Sequence, residues 1–169
     1  SSSTINKDDS KLTCRINGLE KTSPARIILD NRLSIPLNSK IIKTATIYKT
    51  IIFYNKVNIK KIKILNKLNV KTFKVNLNKD GDINLKEVLL LVKKIGFYRI
   101  FIEAGLNLSI SFLKAKMVDE FKLFISNNNL RKSGRGNIRK YLNHFLKNNK
   151  FVYEKVNLAG EKLKTYKIK

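Results

Sequence analysis

The sequence predicts an α/β domain with a mixed central sheet flanked by helices, on three observations. Short β-branched runs alternate with helical patterns through the middle of the chain, a hairpin pattern closes it, and no internal repeat is visible. At 169 residues, 43% of them hydrophobic and interspersed rather than clustered, the chain is one domain's worth and long enough to bury a core.

Taken in order, residues Ser1 to Arg15 are polar and turn-rich, without a sustained period, and read as a loop. Ala25 to Asp30 is a short apolar run, flanked by Pro24 and Pro36, with the form of a buried strand. Thr50 to Tyr54 is a second β-rich run. Ile59, Ile62, Leu65 and Leu68 recur at three-residue spacing and predict an amphipathic helix, after which Val70 to Val75 alternates as a third strand. Asn78 to Asp82 is a turn; it lacks the spaced oxygen ligands and terminal glutamate of a calcium loop. Leu85, Val88, Leu89, Val92 and Ile95 share one face of a helix that Gly96 ends. Tyr98 to Glu103 reads as a buried strand broken by Ala104-Gly105, followed by a helix from about Asn107 to Lys116 and a strand from Val118 to Ser126. Asn127 to Gly136 is a loop, and Phe151 to Asn157 with Lys162 to Ile168 form a hairpin.

Composition excludes several functions. One cysteine, Cys14, and one histidine, His144, are too few for an internal disulfide or a Cys/His zinc site, so no metal is expected. Nothing resembles a signal peptide and no apolar run approaches the roughly 20 residues of a membrane span, so a cytoplasmic protein with no membrane partner is expected. The formal charge of +24 invites a nucleic-acid partner. Yet only 7 of the 36 basic residues are arginine, and Lys, Asn and Ile share A/T-rich codons, so genome bias produces the same excess. The lysines are also dispersed and not interleaved with aromatics, as a base-stacking surface requires. A dedicated nucleic-acid-binding module is therefore the less favoured alternative.

Neither common Gly-rich phosphate loop is present, and two subtler constellations remain. At the predicted strand-to-helix junction, Gly105 has no Cβ to keep a ligand from the backbone, and the first N–H groups of the following helix are a ready phosphate site. Glu103 stands beside that site at the strand end. The same junction also suits a purely structural turn. Near the start, Thr4, Asp8, Asp9, Thr13 and Arg15 set hydroxyls, carboxylates and a guanidinium within one segment, which equally describes an ordinary solvated loop.

Together these residues carry a resemblance. Thr4, Asp8-Asp9, Leu12-Thr13 and Arg15 resemble the T-x-x-x-D-D-P-x-L-T-x-R signature of the riboflavin-pathway pyrimidine reductases. Pro24 to Asp30 is similar to their P-x-R-I-V-L-D strand. Ile102-Glu103-Ala104-Gly105, with Leu108, Ser111-Phe112-Leu113 and Val118-Asp119-Glu120, resembles their V-E-G-G…L…S-F-L…V-D-E block. The three matches fall in the family's order and run from the start of the chain to about Ser126.

The resemblance implies a dihydrofolate-reductase-like fold, NADPH as hydride donor, a homodimer, and a phosphoribosylaminouracil whose ribosyl group is reduced to a ribityl chain. It implies cofactor contacts at Thr4, Asp8 and Asn31 and along Gly105, Leu106, Asn107, Leu108, Ser109, Ile110 and Ser111. Leu12, Arg15 and Glu103 would contact the substrate, Arg15 its phosphate. It assigns no general acid; by residue type Asp8 is the nearest catalytic candidate. Ser10, Ala104 and Asn31 stand where the family has proline, glycine and serine. Judged against the family, the chain is expected to miss an opening strand and helix and to have a deaminase domain, fused or separate, as a partner; if the opening strand is missing, weak or no activity is expected. A same-fold reductase acting on a pterin or folate is the nearer alternative.

Overall fold

A computed structural model of the chain describes residues 2–126, 144–155 and 162–168. They belong to two compact units, Ser1–Glu103 and Ala104–Lys169. The predicted loop from Asn127 to Gly136 lies outside the described residues.

The first unit is built on a parallel sheet of β1 (Arg26–Leu29), β2 (Thr50–Tyr54) and β3 (Val70–Lys74), in that order. All five residues of β2 are buried, because a parallel sheet joined by helical crossovers is covered on both faces. Alternate residues therefore feed two cores. Ile28, Ile52, Tyr54 and Val70 join Ile5, Ile35, Ile41, Ile42 and Leu65 on one side. Ile51 and Phe53 join Val75, Ile83, Val88 and Val92 on the other, where the Phe53 and Phe73 rings stack with centroids 5.5 Å apart.

Helices α3 (Ile59–Lys67) and α4 (Leu85–Lys94) fall where the apolar period places them. Each begins with an asparagine, Asn58 or Asn84, whose side chain accepts from the third backbone N–H onward, at 3.0 and 3.2 Å. Gly96, at φ +96°, closes α4 in the left-handed conformation that glycine adopts without strain.

Two expectations are corrected in this unit. The polar start is not a loop throughout: Ser2–Asp8 forms α1, and the four-residue α2 (Lys40–Lys43) was not anticipated. The residues of α1 have little helical propensity, but Ile5 is buried in the first core and Asp9 donates its N–H to the Ile5 carbonyl at 2.8 Å, so packing and a C-terminal cap replace propensity. Tyr98 to Glu103, conversely, is not a strand. Its composition suits one, but a strand needs a ladder partner, and none of the described strand pairings includes it. Tyr98 and Phe101 stand more than four-fifths exposed.

The second unit comprises α5 (Leu106–Lys114) and an antiparallel sheet in the order β4 (Glu120–Ile125), β6 (Lys162–Lys167), β5 (Phe151–Glu154). The predicted hairpin strands do pair, and Tyr166 gathers Phe121 and Phe151 at 6.2 and 5.4 Å between centroids. Among the described residues the mixed character of the fold thus resides in two sheets, one parallel and one antiparallel. Among the described residues no helix is long and apolar enough to cross a membrane.

Candidate active site

Helix α1 explains the spacing of the first two candidates. Thr4 and Asp8, four residues apart, share one helix face, while Ile5 turns into the core. Thr4 is half-buried and Asp8 exposed, and neither side chain makes a hydrogen bond or ion pair among the described residues.

The adjacent carboxylate is engaged. Asp9 Oδ1 accepts from the Lys40 backbone N–H at 2.8 Å, and Oδ2 lies 3.5 Å from Lys40 Nζ. Lys40 is the first residue of α2, whose preceding Ser39 offers no side-chain cap. Asp9 caps that helix from 31 residues away. Of the paired aspartates, Asp9 is spent on the scaffold, and Asp8 has no such bond among the described residues.

The backbone beyond α1 is strained. Asp9 and Leu12 lie at φ +44° and +51°, and the left-handed region is a rarity for leucine. The Lys11 carbonyl, which precedes Leu12, accepts from Arg26 Nη1 at 2.9 Å. Arg15 is exposed, with no carboxylate paired to it among the described residues, so its guanidinium is available to an anion. Cys14 is held by its backbone N–H, which donates to Ser23 Oγ at 3.0 Å.

At the exit of β1, Asp30 is buried and accepts from Ser34 Oγ at 2.9 Å and from the Ile35 N–H at 2.8 Å. Asn6 Nδ2 reaches the same Ser34 hydroxyl at 3.5 Å, tying α1 to this exit. Asn31 follows, its carbonyl accepting from the N–H groups of Asn55 and Lys56 just past β2. Its half-buried side chain is uncommitted among the described residues, at the carboxyl end of a parallel strand, where ligands of open α/β sheets are met. Glu103, the last residue of the first unit, is exposed at the end of the irregular segment.

In the second unit, α5 begins at Leu106 with Gly105 as its N-terminal flank, and no side chain caps it. The first intrahelical bond runs from the Ser109 N–H to the Gly105 carbonyl at 3.2 Å, so the N–H groups of Leu106, Asn107 and Leu108 remain available to an anion. Gly105 has φ −67°, open to any residue; what glycine supplies here is room. Ala104 is not at positive φ either, so alanine in place of the family's glycine carries no backbone strain. The serine hydroxyls turn inward: Ser109 Oγ donates to the Ala104 and Gly105 carbonyls at 3.3 and 3.2 Å, and Ser111 Oγ to the Asn107 carbonyl at 3.0 Å. Backbone N–H groups, rather than these hydroxyls, are the donors this turn can offer a phosphate. Among the described residues no group of three His, Cys, Asp or Glu side chains is gathered to hold a metal.

Asp9 and Arg26 both lie in motifs that carry the resemblance, but their scaffold contacts are not legible in the sequence. The one available clue was a charged residue inside an otherwise apolar strand run, Ala25-Arg26-Ile27-Ile28-Leu29.

The fold belongs to the mixed α/β, dihydrofolate-reductase-like class, as comparison with solved structures shows. The chain is similar to Acinetobacter baumannii RibD, form 2, with 24% identity and a TM-score of 0.72 over 98% of this chain and 44% of that one. It is similar to a pyrimidine reductase-like protein from Corynebacterium diphtheriae at 14% identity and a TM-score of 0.72, covering 98% of this chain and 73% of that one. The RibD C-terminal domain family matches residues 1–128, and the chain belongs to that family. Among curated relatives, the riboflavin biosynthesis protein RibD of Aquifex aeolicus is 36% identical over 123 residues, and that of Bacillus amyloliquefaciens 27%. Each match covers 73% of this chain but 32% of the relative, so the chain spans about a third of their length.

Proposed function

We propose that this domain is an NADPH-dependent pyrimidine reductase that reduces the ribosyl group of 5-amino-6-(5-phosphoribosylamino)uracil to the ribityl product of riboflavin biosynthesis. One observation carries the proposal furthest. In the segment that matches the family signature, the residues assigned to ligands, Thr4, Asp8 and Arg15, are uncommitted among the described residues, whereas their neighbours Asp9 and Arg26 are consumed by the scaffold.

The residues fit the cofactor on their own chemistry. In the first unit Thr4, Asp8 and the Asn31 side chain offer acceptors and donors to a dinucleotide; in the second, the uncapped N–H groups at the start of α5 suit a phosphate. When bound, NADPH supplies the hydride that the first carbon of the sugar accepts in its ring-opened imine form. The chain aligns the acceptor. Arg15 holds the phosphate by two N–H donors at once, and Glu103 takes hydroxyl or amide donors of the substrate. Asp8, exposed at the end of a helix, fits ligand contact better than proton transfer inside a dry site. The family resemblance brings with it a homodimer, a deaminase partner and a cytoplasmic setting.

The test is an NADPH titration with and without the phosphoribosylaminouracil, on wild type and on Arg15→Ala. Loss of charged hydrogen bonds predicts about tenfold or greater weakening of substrate affinity in Arg15→Ala, with NADPH affinity within about twofold. Equal weakening of both ligands contradicts the assignment of the segment. Tight binding of a pterin or folate in place of the aminouracil selects the alternative same-fold reductase.

A further inference from the structure

Arg26 is nearly enclosed, at 2% exposure, on the first residue of β1. Its Nε donates to Thr50 Oγ1 at 3.1 Å. Nη1 donates to the Lys11 carbonyl and to Thr44 Oγ1, each at 2.9 Å. Nη2 donates to the Ile41 carbonyl at 2.8 Å, the Tyr48 carbonyl at 3.2 Å and Thr50 Oγ1 at 2.6 Å. The two threonine hydroxyls send their own protons elsewhere, Thr44 to the Lys40 carbonyl and Thr50 to the Tyr48 carbonyl, which leaves their lone pairs for the guanidinium. Above the guanidinium lies the Tyr48 ring, 5.2 Å away.

All these acceptors are neutral. Burial pushes the guanidinium down to about 10, with the Tyr48 interaction opposing it, so it stays cationic at neutral pH. A buried charge without a counter-charge is an expensive way to fill space, and apolar side chains of similar volume stabilise at least as well. What the fork does supply is geometry: five donors in one plane fix backbone from three separate segments. One of those is the peptide between Lys11 and Leu12. Its orientation sets φ of Leu12, the residue held at +51°. Free of that grip, a leucine relaxes to negative φ and the following residues swing with it.

We infer that Arg26 is a positioning residue that holds the Lys11–Leu12 peptide, and with it Leu12 and Arg15, in the shape that receives the substrate. The inference rests on the proposed role of Leu12 and Arg15 and adds a residue that touches no ligand.

The experiment compares wild type, Arg26→Lys and Thr50→Val by amide hydrogen exchange and by steady-state kinetics. Lysine keeps the charge but cannot span the same acceptors; valine removes two of the guanidinium's bonds and spares the one to Lys11. In Arg26→Lys, the Cys14 amide, held in wild type by Ser23 Oγ, exchanges about tenfold faster or more while β2 stays protected. The substrate KM rises about tenfold with kcat within about twofold. In Thr50→Val the unfolding midpoint falls, and loop exchange and KM stay at wild-type values. Unchanged loop exchange in Arg26→Lys, or equal acceleration in both variants, overturns the inference. If wild type binds no aminouracil, the proposed function fails, while loop exchange still decides the positioning role. Should Arg26→Lys not fold, the wild-type Arg26 NMR signals decide: a gripped guanidinium keeps separate, slowly exchanging Nη1 and Nη2 resonances, and a single averaged, fast-exchanging signal contradicts the grip.

Discussion

The central strand of the parallel sheet and an edge strand of the antiparallel one are buried to opposite degrees. Every residue of β2, at the centre of the parallel sheet, is buried, whereas every residue of β5, at the edge of the antiparallel sheet, is exposed. The first sheet is held by apolar burial on both faces, a strong and water-free contribution. Such a scaffold can hold strained backbone at its margins, and Asp9, Leu12 and Leu33 all lie at positive φ around it. The second depends more on aromatic contacts and on Lys122, which lies 2.9 Å from Glu154 Oε1 and 3.8 Å from Glu120. That ion network is exposed and screened by water.

The contrast can be broken most sharply at Phe53, fully enclosed in β2 and stacked on Phe73. Phe53→Ala is expected to lower the stability of the first unit by about 3–5 kcal/mol, read by denaturant titration. A loss below about 1 kcal/mol would show that this face is no core.

A smaller effect is expected of Asp9→Ala, which removes the remote cap of α2. The cost is about 1 kcal/mol, with faster exchange of the Lys40 amide as its local mark. Unaltered exchange there would deny Asp9 its scaffold role and reopen it as a ligand contact.

The smallest effect belongs to Glu154. The Thr165 hydroxyl, donating at 2.6 Å, and then Lys122 hold its carboxyl below the usual glutamate range. Its contribution is therefore complete above the unfolded-state value and fades as pH falls through the folded-state one. Lys122 is shifted upward, first by its bond to Glu154, so its own contribution is complete below the usual lysine value and fades at strongly alkaline pH. Glu154→Gln should flatten the acid limb of the second unit's thermal stability and barely move its neutral midpoint. An acid limb identical to wild type would place the pH sensitivity elsewhere.

What could be read in the sequence divides along the same lines. Period and punctuation suffice for α3, α4 and β1 to β3, because Leu65, Val88, Val92 and the β2 run answer to a local pattern and an asparagine or glycine marks each helix end. The pattern fails at α1, where the anchor is a lone buried isoleucine and a polar sequence gives no period to find. It fails in the opposite sense at Tyr98 to Glu103, since composition announces a strand but only backbone pairing makes one. The candidate site was legible as an ordered set of residues that resembles a family's motifs. The division between Asp8 and Asp9 was not, because the Lys40 amide that claims Asp9 is 31 residues away. Nor was the role of Arg26, whose acceptors come from Lys11, Ile41, Thr44, Tyr48 and Thr50.

Transfer of isotope tests the proposed chemistry most directly. With NADPH deuterated at the transferable position of its nicotinamide and the phosphoribosylaminouracil as acceptor, the label should appear on the first carbon of the ribityl product, one deuterium for each NADPH oxidised. Product formed without label at that carbon, or NADPH consumed without reduction of the sugar, would contradict the reductase assignment.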